Sequence, residues 1–168
     1  MPGDRGRSLA GLTGAAALAI AAVASAAGPK LLPAEQAFRL SARALDAKTV
    51  EVRYNVVDGY YLYRDKLGFT VEPPPAAAGT ATLPPGKPHQ DEFFGKVTTY
   101  RGLVVIRLPI ASARAGQAVT LVASSQGCAD AGVCYPPQVQ RVALSLPAAG
   151  AGPAPVVEAT SPKKAYFQ

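Results

Sequence analysis

The chain reads as all-β, an antiparallel β-sandwich, on three observations. Apolar and polar residues alternate with a period of two over several short stretches. Turn-forming Pro, Gly and Asp residues interrupt those stretches at short spacing. Helical periodicity is nearly absent, so no crossover helices are available to join parallel strands.

The elements follow in order. Arg5 and Arg7 precede an apolar stretch over 9–23, and Ala24-Ser-Ala26 supplies the small residues a signal peptidase accepts. Residues 1–26 are therefore expected to be a cleavable secretory signal. Thr13 and Gly14 interrupt the apolar stretch, which argues against a retained membrane anchor. No later stretch approaches transmembrane length, so the mature protein is expected to be exported and soluble. Residues 27–146 are then expected to form one domain, long enough for a core of its own.

Within that domain, 33–36 starts at most one helical turn. Over 38–45, Phe38, Leu40, Ala42 and Ala44 oppose Arg39, Ser41 and Arg43. Over 49–57, Val50, Val52, Tyr54 and Val56 oppose Glu51, Arg53 and Asn55, the pattern of a strand with one buried face. Asp46-Ala-Lys48 is the turn between them, and Asp58-Gly59 leads into the aromatic run Tyr60-Tyr-Leu-Tyr63. Further strands are expected over 69–72, 98–100, 103–108, 119–125 and 139–146. Pro73-Pro-Pro75, Pro84-Pro-Gly86, Arg101-Gly102 and Ala115-Gly116 break the chain between them. From 147 to 168 Ala, Gly and Pro dominate and alternation stops, which predicts a flexible tail or linker.

The formal net charge is +6, or +5 without the first 26 residues. The basic residues are scattered, and Lys163-Lys164 is the only doublet beyond the leader. That distribution lacks the clustered basic stripe of a nucleic-acid binder, so no nucleic-acid partner is expected.

The two cysteines, Cys128 and Cys134, have five residues between them. They can pair with each other and with no other cysteine in the chain. A ring of about seven residues contributes roughly 2 kcal/mol in the chain-entropy picture, too little for a major staple. The spacing is not C-x-x-C. Two cysteines and the distant His89 do not supply the four ligands of structural zinc, so no metal or other cofactor is expected. Pro88 before His89 and polar residues after it place that histidine on a surface loop, with no catalytic role. Ala129, Ala131 and Gly132 are small enough to leave an in-line path to a sulfur, and Pro136-Pro137 sets the exit of the loop. Spacing by itself leaves two readings open: a small bridge pinning a strand end, or a redox pair.

Four motifs bear on that choice: Asp58-Gly-Tyr-Tyr-Leu-Tyr-Arg64, Asp91-Glu-Phe-Phe-Gly-Lys96, Thr99-Tyr-Arg101 and Gly127-Cys-Ala-Asp-Ala-Gly-Val-Cys-Tyr-Pro-Pro137. In content and order they resemble the N-terminal periplasmic domain of the DsbD thiol:disulfide interchange (protein-disulfide reductase) family, over about residues 32–146. The resemblance implies an immunoglobulin-like sandwich whose cysteine pair relays reducing equivalents in the periplasm. It implies a thioredoxin-like donor domain fed by a membrane-embedded electron conduit. The implied acceptors are periplasmic oxidoreductases such as disulfide isomerases and the cytochrome c maturation thioredoxin.

Carried over residue by residue, the resemblance makes Cys134 the sulfur that forms mixed disulfides and Cys128 its resolving partner. It makes Asp91, Glu92, Phe93, Phe94 and Gly95 a cap loop, with Phe93 as the shielding ring. A ring over the sulfurs excludes stray thiols until a docking partner displaces it. Phe93 and Phe94 also fit a reading as core residues on a strand, but Asp91, Glu92 and Gly95 around them suit an exposed turn better. Tyr61 and Tyr63 fall beside the active site in the resemblance. Two apart on a strand they share a face, where their hydroxyls can hold the base of the cap. Asp91 and Glu92 near the sulfurs would raise a thiol pKa; alternatively they form a solvated acidic turn. The chain shows no second hydrophobic span and no C-x-x-C, so the conduit is expected either further along a longer protein or in a separate one. Two other functions remain open on the residues: a non-catalytic envelope scaffold with a permanent bridge, and metal handling by two thiolates.

Overall fold

Alternation builds the first hairpin, as the side chains dictate. In the computed structural model, which describes residues 30–160, one helical turn, α1 (Ala34–Ala37), leads into β1 (Phe38–Ala44) and β2 (Thr49–Val56). Phe38, Leu40, Ala42 and Ala44 face inward with Val50, Val52, Tyr54 and Val56, all buried. Register runs from Phe38 opposite Val56 to Ala44 opposite Val50. The turn closes on the Asp46 carboxylate, which accepts the Lys48 backbone N–H at 2.7 Å. The expected secretory signal lies outside the described residues.

The chain continues through β3 (Tyr60–Tyr63), β4 (Gly68–Glu72), β5 (Ala77–Ala78), β6 (Lys87–Asp91), β7 (Gly95–Tyr100) and β8 (Gly102–Ala111). It ends in β9 (Ala118–Ser125), β10 (Gly127–Ala129), β11 (Val133–Cys134), β12 (Gln138–Ser145) and β13 (Val157–Glu158). Three antiparallel sheets result, ordered β13-β1-β2-β8-β5, β12-β9-β4 and β11-β10-β3-β7-β6. The first two close on one apolar core that includes Val52, Tyr54, Ile106, Leu108, Leu121 and Val142. The architecture is the expected all-β, immunoglobulin-like sandwich, and the third sheet carries both cysteines and the expected cap.

Strand β3 joins the two regions. All four of its residues are buried because both of its faces are covered. Tyr60 and Leu62 enter the sandwich core, whereas Tyr61 and Tyr63 form a separate cluster with Cys128, flanked by Val97 and Cys134. Strand β10 lies close enough to β3 that a Cβ on Gly127 would collide with the Tyr61 carbonyl oxygen and come within 2.7 Å of the Phe38 ring. Glycine at that position lets Cys128 sit directly across from Tyr61.

Besides the short strands β5, β10 and β11 and an earlier start of β7, two segments depart from the expected pattern. Residues 87–91, which hold the His89 expected on a surface loop and the Asp91 expected in the cap, form edge strand β6, paired to β7 from Lys87 opposite Thr99 to Asp91 opposite Gly95. Pro88 is tolerated because an edge strand can leave one side of its ladder unpaired. Residues 154–160, within the stretch expected as a flexible tail, lie along the free edge of β1. Ala154 N–H donates to Ala44 O at 2.8 Å and Ala159 N–H to Leu40 O at 2.9 Å, and β13 pairs with Ser41 and Ala42. Main-chain pairing of this kind covers an edge without any side-chain alternation, so the sequence carries no sign of it.

Candidate functional site

The cysteine motif folds as a short hairpin. Strands β10 and β11 place Cys128 opposite Cys134, and a disulfide joins them with Cα atoms 4.0 Å apart. Its turn is held by Gly132 N–H to Ala129 O at 3.0 Å, and its exit by Tyr135 N–H to Gly127 O at 3.0 Å. Tyr135 then donates its hydroxyl to Leu32 O at 2.7 Å and packs edge-on against Phe38, tying the hairpin to the body of the sandwich. The two sulfurs are inequivalent. Cys128 is completely buried, whereas Cys134 is partly exposed and opens on a cleft of about 180 Å³ lined by Tyr61, His89, Asp91, Phe93 and Asp130.

Asp91 organises the far side of that cleft. It ends β6 and is only 4% exposed, so its charge needs partners. Its Oδ1 accepts the backbone N–H groups of Phe93 at 2.8 Å and Phe94 at 2.9 Å. Its Oδ2 accepts the hydroxyls of Tyr63 at 2.6 Å and Tyr61 at 2.9 Å. Burial pushes the Asp91 carboxyl up, but hydrogen bonds from Tyr63, Phe94, Phe93 and Tyr61 outweigh it and hold the pKa down at about 2. Burial, followed by the hydrogen bond to Asp91, pushes both the Tyr61 and Tyr63 phenols above their ordinary value. At neutral pH the carboxylate is therefore ionised and both phenols keep their protons.

Tyr63 connects this carboxylate to the sulfurs. Its oxygen lies 2.9 Å from Cys128 Sγ and 3.7 Å from Cys134 Sγ. A phenol has one proton, and disulfide sulfurs have none. In the oxidised protein that proton points to Asp91, and Cys128 Sγ rests against the phenol oxygen.

The structure brings together the residues expected at the site, with one redistribution of roles. Of the acidic pair expected as a possible solvated turn, Asp91 is buried and Glu92 alone is exposed. The 92–94 segment makes the tip between β6 and β7, and Gly95 closes it at φ 71°, where a side chain would be strained. Phe94 packs its ring edge-on against Tyr63 at 5.2 Å, with the Lys66 ammonium 4.8 Å from the ring centre. Phe93 stands on the wall of the cleft and is 64% exposed.

Three residues at the site had no role in the sequence reading. His89, expected on a loop, lies in β6 with its ring 4.7 Å from that of Tyr61. Arg101 and Asp130 form a two-pronged ion pair at 2.6 and 2.9 Å. Both occur inside the quoted motifs, which is the one signal that could have found them. Among the described residues, no group of three or more His, Cys, Asp or Glu side chains is arranged to hold a metal ion, and no helix is long and apolar enough to cross a membrane.

Comparison with known proteins places this geometry. The family model described as "Thiol:disulfide interchange protein DsbD, N-terminal" matches residues 28–146. The thiol:disulfide interchange protein DsbD of Ralstonia nicotianae is 43% identical over 140 residues, which are 83% of this chain and 22% of that protein. The chain thus spans about a fifth of the length of the curated relatives it matches. The reduced DsbD N-terminal domain of Neisseria meningitidis superposes with a TM-score of 0.62 at 36% identity, covering 74% of this chain and 94% of that one. A second Neisseria meningitidis structure, a complex between the DsbD N-terminal and PilB N-terminal domains, matches with a TM-score of 0.57 at 34% identity, covering 80% of this chain and 94% of that one.

Proposed function

The chain belongs to the DsbD N-terminal domain family, and from that premise we propose that it is a periplasmic thiol–disulfide exchange module working through Cys128 and Cys134. The observation that carries the reading is the asymmetry of the pair: Cys134 opens on the cleft, and Cys128 is buried against Tyr63. Exchange uses that asymmetry, because one sulfur must be attacked and the other must leave.

In the reductive half-cycle, a thiolate of a thioredoxin-like donor attacks Cys134 Sγ through the cleft. The Cys128–Cys134 bond breaks, and its electron pair leaves on Cys128. Tyr63, 2.9 Å from that sulfur, turns its proton from Asp91 toward the new thiolate and stabilises it as leaving group. Asp91 keeps three donors meanwhile, namely Tyr61 and the amides of Phe93 and Phe94. The donor's second thiolate then attacks its own sulfur in the mixed disulfide and releases Cys134. Two electrons and two protons have entered the pair, and the donor holds a disulfide.

In the second half-cycle Cys134 thiolate attacks the disulfide of an acceptor, and Cys128 attacks Cys134 to release the reduced acceptor. Disulfide isomerases and a cytochrome c maturation thioredoxin are the proposed acceptors. A membrane conduit, in this chain's continuation or in a separate protein, is the proposed electron source. The neisserial relative captured with a PilB N-terminal domain supports a partner-docking role for this module.

Trapping tests the assignment. Cys128→Ser should accumulate mixed disulfides with a thioredoxin-like partner through Cys134, read by mass spectrometry after acid quenching. Cys134→Ser should accumulate none. Equal trapping by both variants would sink the division of roles. A reduction potential far below about −300 mV would instead mark a structural bridge.

A further inference from the structure

The cysteine hairpin is held at its tip by a group outside the Tyr–Asp91 network. Asp130 begins the turn between β10 and β11, and its N–H donates to Gly59 O at 2.8 Å. Its carboxylate receives both prongs of the Arg101 guanidinium, Nη1 to Oδ2 at 2.9 Å and Nη2 to Oδ1 at 2.6 Å. The same Nη1 also donates to Tyr60 O at 3.2 Å, and the guanidinium lies 5.1 Å from the centre of the Tyr61 ring. One side chain from the β7–β8 corner thus touches the cysteine turn, the β3 backbone and the ring whose hydroxyl holds Asp91.

Both side chains are nearly half exposed, where an ion pair adds at most about 1 kcal/mol to folding even with good geometry. A planar fork that also reaches a third acceptor instead confers orientation. Asp130 and Cys134 line one cleft, so the guanidinium also compensates a carboxylate on the cleft through which Cys134 is reached. The other charged or titratable groups on that cleft are Tyr61, His89, Asp91 and Glu92, and the Tyr63 hydroxyl lies 3.7 Å from Cys134 Sγ. The Asp91 charge is already spent on four donors, which leaves Asp130 as the charge that Arg101 controls.

We propose that Arg101 is a positioning residue for thiol–disulfide exchange, pinning the cysteine turn through Asp130 while shielding the attack on Cys134 from that carboxylate. The inference rests on the exchange reading given above, and two independent measurements separate their fates.

The first needs no partner. In the reduced Cys128→Ser protein Cys134 is the sole thiol, and the pH dependence of its alkylation by iodoacetamide reads its pKa. Adding Arg101→Ala should raise that pKa by roughly half a unit to one unit, because Asp130 is left uncompensated. Adding Asp130→Asn alone should lower it, and adding both changes should return it close to the Cys128→Ser value. A loss of structure alone would not produce that pattern of opposite signs and cancellation. The second measurement is the rate at which a reduced thioredoxin reduces the disulfide of the otherwise unmodified protein. Arg101→Ala should slow it roughly tenfold, and Arg101→Lys should restore only part of it, because a single ammonium cannot make the fork. Arg101→Ala combined with Asp130→Asn should remain slow, since the turn is still unpinned. Unchanged pKa and rate in Arg101→Ala would overturn the proposal, as would a double variant that behaves like Arg101→Ala in alkylation. If the unmodified protein were not reduced by thioredoxin, the exchange reading would lose support, and the alkylation cycle would still decide the role of Arg101.

Discussion

The sandwich core and the cysteine cluster meet on adjacent residues of β3 and are built on opposite principles. The core is a set of interchangeable apolar contacts. Val52, Ile106, Leu121 and Val142 fill space contributed by several strands, and no single polar contact holds it. The cysteine cluster is small, and its order converges on one atom group: four donors from Tyr61, Tyr63, Phe93 and Phe94 meet on the Asp91 carboxylate. The core's energy is spread over many undirected contacts. In the proposed exchange the site is rearranged by turning one proton, because its geometry depends on a few directed bonds. A relay needs both: a rigid frame, and beside it a region that changes cheaply when a sulfur is reduced.

Breaking the core should produce the largest loss of stability and the smallest change in chemistry. Leu121 is 1% exposed, and Leu121→Ala should destabilise the domain by about 2–5 kcal/mol. Chemical denaturation would measure the loss, while the reactivity of the folded cysteine pair should stay near that of the parent. A large rate change in the still-folded variant would show that the two regions are not separable.

Removing the charge at the centre of the site should cost less and act through pH. The Asp91 pKa is depressed in the folded state, so its contribution is present above the unfolded value near 4 and fades as pH falls toward about 2. Asp91→Asn should therefore lose on the order of 2 kcal/mol at neutral pH. The parent should lose that advantage over the variant between about pH 5 and pH 2. Parallel stability curves for the two proteins across that interval would refute the role given to this carboxylate.

The smallest effect on stability is expected at the exposed edge of the cluster. Phe93 is 64% exposed, and Phe93→Ala should change stability by less than about 0.5 kcal/mol. Its expected effect is kinetic: faster reduction of the pair by small thiols such as dithiothreitol, as a shield is removed from the cleft. An unchanged rate would leave Phe94, whose ring lies against Tyr63, as the better candidate for shielding.

What could be read in the sequence divides along the same line as the two regions. Alternation over 38–45 and 49–57 named the inward-facing residues of β1 and β2, because a strand with one buried face must repeat every second residue. The four motifs brought Tyr61, Tyr63, Asp91 and the cysteines into one site without any periodic signal at all. The same run of residues gave no warning that Asp91 is buried while its neighbour Glu92 is exposed, or that the His89 ring lies tilted against Tyr61. Edge strand β6 and the segment ending in β13 were missed for a common reason. Both are held by main-chain hydrogen bonds, which any residue but proline can donate and which leave no mark on composition.

By itself the sequence determined the all-β class, the inward faces of the main strands and the partner of each cysteine, since these follow from neighbours along the chain. Only the tertiary structure decided which sulfur is open, which carboxylate is buried and which arginine grips the cysteine turn. Exposure depends on what distant segments lay over a residue. Cys128 is sealed by Tyr63 from β3, Asp91 by hydroxyls nearly thirty residues away, and Asp130 is matched by a guanidinium from the β7–β8 corner.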